Sequence, residues 1–319
     1  MSALLTTIVF SAPPTGGDLS ILPFEPNDLL LIRWPLIGFA VVGAIWFFYP
    51  KSKTTLRRLA MELLLMVPLY LFYLFVRGIT EGRTSEALSR AAGIIKFEQA
   101  IGIFWEPRLQ AGVLDIGFVV NLMNWIYMWG FWPVILLAAI WMFFRHREAY
   151  HLYRNAFIIS GAIGLLIFAL FPVAPPRFME AWGFVDTIAE RSDVYRLFQT
   201  PDFVNQYAAM PSLHFGWSLL LGTAIVGQAT PLLVRLFGLV LPFAAFASIV
   251  LTANHYIVDG LAGGSVAMLG LLVAVLLRGL LDRMASPEGR ALQPLPALAS
   301  TIGRLRGDRP AQPSDSGSR

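Results

Sequence analysis

The chain has 319 residues, of which 56% are hydrophobic and 14% charged, with a formal net charge of +4 and a mean hydropathy of +0.64. Too few polar side chains exist to cover a soluble globule of this size, so a soluble protein is excluded and a polytopic membrane protein is expected. The absence of cysteine excludes disulfides, thiolate metal sites and cysteine nucleophiles, and the modest charge, spread over loops and tail, suits membrane topology rather than nucleic acid.

The start, MSALLTTIVFSAPPTGG, is apolar but lacks a basic n-region and has a short apolar run, which argues against a cleaved signal peptide. Apolar helical runs follow at about 29–49, 57–77, 118–144, 154–172, 214–229 plus 231–252, and 257–281. A run of about 20 residues spans the hydrocarbon core, so the pattern predicts an all-α bundle of about six transmembrane helices. The third run is longer than one span needs, and Asn121, Asn124 and Trp125 in its first half predict an interfacial stretch, with Trp129 and Trp132 marking entry into the membrane.

The basic loops YPKSKTTLRR and RHREAYHLYR and the Arg-rich tail beyond Arg278 belong on the cytoplasmic side. The N-terminus, 78–117, 173–213 and the turn near 253–256 then face the other side. Segment 78–117 sets Arg83, Arg90, Lys96 and Arg108 against Glu81, Glu86, Glu98 and Glu106, which predicts amphipathic interfacial helix. From Ser286 the chain is rich in Pro, Arg, Ser, Gly and Asp and cannot bury enough apolar area to order itself. The expected organisation is an extracytoplasmic N-terminal segment (1–28), a transmembrane catalytic domain (29–284) with its motifs in 173–264, and a disordered cytoplasmic tail (285–319). No internal repeat and no nucleotide-binding loop is found.

The four histidines divide by position. His146 and His151 lie in a basic cytoplasmic loop, where solvated or headgroup-contacting roles suffice. His214 and His255 fall at extracytoplasmic span ends and can meet at one depth. In LTANHYIVDGLAGG, His255 and Asp259 are four apart, so a helix starting near Asn254 would let their side chains hydrogen-bond. A carboxylate on one imidazole nitrogen fixes the tautomer and raises the basicity of the other. An ionisable residue within a span is itself suspect of function.

Phosphate chemistry needs donors nearby. Arg177, in FPVAPPRFMEAW, follows the fourth span on the same side, and the double proline sets its direction of exit. Arg77, at the outer end of the second span, is a weaker candidate. In AAMPSLHFG, Pro211 suits a first helical turn and Ser212 a helix start, so Ser212 and the backbone around Leu213 would cradle an anion beside His214. A bound phosphate there favours a protonated His214, as a general acid requires.

These residues resemble the type-2 phosphatidic acid phosphatase superfamily, whose second motif is close to Pro-Ser-x-x-His and whose third ends His-x-x-x-Asp. MPSLH, APPR and NHYIVDGLAGG are similar to the branch containing fungal inositol phosphorylceramide synthase. The resemblance implies a phosphatidic-acid-phosphatase-type bundle in which His255 attacks phosphorus, Asp259 orients it and His214 protonates the leaving group. Two parts of the superfamily pattern are absent. No Lys-x6-Arg-Pro precedes the second motif, the sole Arg-Pro being Arg309-Pro310, and the third motif's Ser-Arg stands as Ser248-Ile249. Phosphate contacts then fall to Arg177, Ser212, backbone amides and Arg77 or Arg154.

The expected activity is cleavage of a lipid phosphoester or pyrophosphate at the extracytoplasmic face of the plasma membrane through a phosphohistidine. It needs no cofactor, and the acceptor is water, a second lipid or a glycan. Phospholipid and polyprenyl phosphate are the substrate classes, and the departures favour an inositolphosphotransferase-like enzyme over a simple lipid phosphatase. Two other classes stand beside it: a metal-dependent enzyme using His214, His255 and Asp259, and a lipid-binding or transport protein whose polar cluster only holds a headgroup.

Overall fold

A computed structural model describes residues 83–191 and 207–285, with 37–38, 40–44, 47, 55–65 and 68–69 before them. The segment 1–28, Arg77, most of the first span and the tail from Ser286 lie outside the described residues. The chain divides into two units, Met1–Val67 and Pro68–Arg319. In the first, residues 55–65 are helical. Everything below concerns the second.

Its described helices are α1 (Thr84–Ala100), α2 (Glu106–Leu114), α3 (Gly117–Trp125), α4 (Phe131–Arg145), α5 (Arg147–Leu170), α6 (Leu213–Gln228), α7 (Leu232–Leu251) and α8 (Ile257–Ala285). A five-residue helix, Thr187–Arg191, lies in the segment after α5. Among the described residues, four stretches are long and apolar enough to cross a membrane: Gly117–Arg145, Arg147–Leu170, Leu232–Leu251 and Ile257–Met284. The first contains α3 and α4 joined through a π-helical turn, Ile126–Gly130. The helix thus runs on through Trp129, with the π-helical turn falling where the sequence places entry into the membrane. The buried Asn124 is accommodated by pairing, its Nδ2 donating to the Thr187 carbonyl (3.0 Å) while Thr187 Oγ1 donates to its Oδ1 (2.9 Å).

The bipartite fifth run resolves into two helices. Its break falls at Ala229–Pro231, where the extended backbone of Ala229 ends α6 and Pro231 caps α7. A helix of α6's length reaches about 24 Å. Small residues set how closely it approaches its neighbours, as usual where apolar surroundings give helices little hydrophobic reason to associate. Gly216 faces Gly263 of α8, Gly222 faces Gly238 of α7, and Gly161 and Gly164 of α5 receive Trp217 and Leu213. Because α6 descends and α7 returns, the start of α6 and the end of α7 share one end of the bundle, where α8 begins.

At that end the segment after α5 ties the elements together. Val173 bridges Ala208 in parallel, with Val173 N donating to the Tyr207 carbonyl (2.8 Å) and Ala209 N to the Val173 carbonyl (3.2 Å). Ala174 N donates to the Ala87 carbonyl of α1 (3.1 Å). The last carbonyls of α5 are capped by cations, Arg83 Nη1 on Ala169 O (2.6 Å) and Arg90 Nη1 on Leu170 O (3.0 Å), which suits the negative end of a helix. Glu86 bridges those two arginines.

Candidate active site

The site forms where α6 starts and α7 gives way to α8. Ser212 is the N-cap of α6, and its Oγ accepts from Phe215 N (3.5 Å). Pro211 lies one residue before that cap rather than in the first turn, because Ser212 has the extended backbone a cap requires. The carbonyl of Ser212 takes Gly216 N (3.0 Å) and its own amide donates to the Asp259 carbonyl (2.9 Å). Its buried hydroxyl thus serves the helix start. The amides of Leu213 and His214, in the first turn, have no acceptor within their own helix.

The chain leaves α7 through Thr252 and Ala253, the latter in the left-handed region at φ 52°. The amides of Asn254 and His255 both donate to the Ile249 carbonyl (3.1 Å each). Asn254 Nδ2 donates to Thr252 Oγ1 (2.8 Å), which turns its Oδ1 toward the Arg177 guanidinium, with which it hydrogen-bonds. Arg177 also donates its amide to the Ala253 carbonyl (2.8 Å), and its Nε lies 3.7 Å from Asp186 Oδ2. Arg177 is therefore anchored one residue before His255.

His255 is 5% exposed, and its Nδ1 lies 2.6 Å from the Ala209 carbonyl. A carbonyl can only accept, so Nδ1 carries the proton and Nε2 keeps its lone pair. Asp259 Oδ2 stands 3.6 Å from the same Nδ1, near enough to act by charge but beyond a hydrogen bond. The expected His255–Asp259 hydrogen bond and the helix start near Asn254 are both replaced for one reason: α8 begins at Ile257. Tyr256 is its cap, and Asp259, in the first turn, accepts the Tyr256 amide (2.9 Å) as the carboxylate of a capping box does.

The His214 and His255 rings are 6.2 Å apart between centroids. Tyr127, in the π-helical turn, stacks on His214 at 4.6 Å, and Phe131 approaches it at 4.8 Å. The structure thus brings His214, His255, Asp259, Ser212, Leu213 and Arg177 to one end of the bundle. Arg154 is elsewhere on α5, ten residues from Gly164, which faces Leu213; that is about 15 Å of helix. Its guanidinium is bonded to Asn155 Oδ1 (2.8 and 3.1 Å). Among the described residues no three histidine, cysteine or carboxylate side chains are arranged to hold a metal ion.

Two residues read from the sequence as interfacial charges belong to this end. The buried face of α1 runs Ala87, Ala91, Ile94, Ile95 and ends in Glu98, and that of α2 carries Glu106 and Gln110. Both glutamates are fully buried. Glu106 Oε1 accepts Ile257 N (2.8 Å) and Glu98 Oε1 accepts Val258 N (2.9 Å), the first two amides of α8. Burial, and then the hydrogen bond with the Glu106 carboxyl, push Glu98 up to about 9. The Oε2 atoms of both glutamates are buried and have no hydrogen-bond partner among the described residues. Tyr256, fully buried beside them, is pushed up by burial and by the charges of Asp259, Glu98 and Glu106, and its hydroxyl donates to the Ala174 carbonyl (3.3 Å).

A family model described as the PAP2 superfamily matches residues 92–273. The phosphoinositol dihydroceramide synthase of Bacteroides thetaiotaomicron is 26% identical over 155 residues, covering 44% of this chain and 50% of that protein. The chain thus spans about half the length of the curated relative it matches. No solved structure matches the chain.

Proposed function

The chain belongs to the PAP2 superfamily, and on that footing we propose that it is an integral membrane lipid phosphotransferase working through a phosphohistidine at the extracytoplasmic face. The observation that carries the reading is the His255 imidazole, its proton held on Nδ1 by Ala209 and its ring 6.2 Å from that of His214. The Nε2 lone pair attacks phosphorus, the bond to the leaving oxygen breaks, and His214 gives that oxygen a proton. Nδ1 keeps its proton, so the phosphorylated ring is cationic, and the Asp259 carboxylate lies where it stabilises that charge. In the second half-reaction the neutral His214 takes the proton of the incoming hydroxyl, the P–N bond breaks, and His255 is regenerated. Phosphate is received at the first turn of α6, with Arg177 beside it.

The similarity to a phosphoinositol dihydroceramide synthase supports an inositolphosphotransferase-like reaction, in which a phospholipid donates its headgroup phosphate to an alcohol on a second lipid. Water as acceptor makes the same machinery a lipid phosphatase. The deciding experiment supplies radiolabelled phosphatidylinositol, phosphatidic acid and a polyprenyl diphosphate to the purified protein, with and without a lipid alcohol. Headgroup-labelled phosphatidylinositol is expected to leave acid-labile label on the protein and to transfer it to the alcohol. His255→Ala abolishes both; equal turnover in that variant overturns the histidine mechanism.

A further inference from the structure

Resting on that reading, we propose that Glu98 and Glu106 are positioning residues of the reaction: their carboxyls grip the first two amides of α8 and so hold His255 and Asp259 in working geometry. The geometry leaves this grip few substitutes. His255 precedes α8 by two residues, so its place depends on where the helix starts, and a helix start is set by what satisfies its first amides. Here three carboxyl groups satisfy them together. Asp259 takes the Tyr256 amide, Glu106 that of Ile257 and Glu98 that of Val258. The two glutamates come from helices 151 and 160 residues distant in sequence, and both are fully buried where an unpaired carboxylate would be expensive. Moving the cap moves Asp259, whose backbone carbonyl also receives the Ser212 amide at the start of α6 (2.9 Å).

A second consequence concerns the substrate. Helix N-termini attract anions, and two such ends, those of α6 and α8, lie side by side here. Carboxyl groups already fill the α8 end, their oxygens taking its first amides, which leaves the first turn of α6, beside His214, to receive the phosphate. The pair thereby assigns the phosphate to the acid's side of the site, with His255 facing it.

The test uses the full chain in lipid nanodiscs, labelled phosphatidylinositol as substrate and 15N-histidine NMR of the imidazoles. Alanine or aspartate at either position leaves an α8 amide out of reach, so Glu98→Ala, Glu98→Asp, Glu106→Ala and Glu106→Asp are expected to lower kcat by about 10- to 100-fold with little change in KM. They also shift the His255 nitrogen resonances away from the single Nδ1–H form. Glu98→Gln and Glu106→Gln keep a carbonyl oxygen for the amide and are expected to retain the wild-type His255 signal and most of kcat at neutral pH. The comparison of the aspartate and glutamine variants separates reach from charge and survives an alanine variant that does not fold. An unchanged His255 signal in the alanine and aspartate variants overturns the proposal, whatever kcat does. Absence of wild-type turnover on every lipid would count against the proposed activity instead, while the imidazole signal still decides the positioning role.

Discussion

The His255 imidazole has two acceptors of unequal reach, the Ala209 carbonyl at 2.6 Å and the Asp259 carboxylate at 3.6 Å. Because the carbonyl alone holds the tautomer, Asp259→Asn removes charge without changing which nitrogen keeps the lone pair that the proposed mechanism uses. The expected loss in kcat is therefore of order 10², smaller than when a carboxylate is the sole orienting group, and KM should stay near the wild-type value. Glu98 supports a pH prediction. Held up to about 9, it keeps in the folded protein a proton that an unfolded chain releases near 4.5, so stability falls as pH rises through that window and the loss is complete above the higher value. The groups facing it are Glu106 of α2, Asp259 of α8 and Tyr256 between α7 and α8. Melting temperatures measured from pH 6 to 10 should decline more steeply in the wild type than in Glu98→Gln, which has no proton to lose; parallel curves would contradict this. The histidine pair and Asp259 were legible from type and spacing alone. Glu98 and Glu106 were not, since Lys96 and Arg108 stand beside them in sequence and their burial arises from contacts about 150 residues away.

At the scale of elements, the crossing of α6 and α8 decides whether the histidines meet. A Cβ at Gly263 would run into the Ser212 carbonyl, and one at Gly216 into the Gly263 carbonyl. These obstacles are backbone, which cannot step aside as a side chain can. Gly263→Ala should destabilise the fold by about 1–3 kcal/mol and depress activity further than its stability loss explains, because it forces apart the helix starts that carry the two histidines. Calorimetry with kcat on the same preparation checks both. Ala253 offers the opposite change: its φ of 52° is unfavourable for a side chain, so Ala253→Gly should raise stability by up to about 1 kcal/mol. The apolar runs announced these helices well, because length and hydropathy follow from composition. The start of α8 was less legible. Sequence spacing allowed a helix from Asn254 carrying His255 on its first turn, whereas the cap geometry of Tyr256 and Asp259 begins it later.

For the whole molecule, the lack of cysteine makes the proposed topology directly testable, since each introduced thiol is the sole one. Ser85→Cys, on α1, should react with an impermeant maleimide added outside intact cells, and Glu148→Cys, at the start of α5, only after permeabilisation; the reverse pattern would invert the orientation and with it the face of the site. The bundle itself was legible because a membrane leaves a chain few options. Its closure at one end was not, because it rests on main-chain bonds that carry no mark of residue type. The Ala209 carbonyl is the clearest of these. As a main-chain group it survives every substitution at its own position, so point mutation at Ala209 cannot delete this part of the site, whereas changes in chain length can. The four residues between Ala209 and His214 act as a ruler, with one end hydrogen-bonded to His255 and the other leading into His214. Adding or removing a single residue there would break register on one side or the other, so this interval should tolerate changes of side chain but not of length.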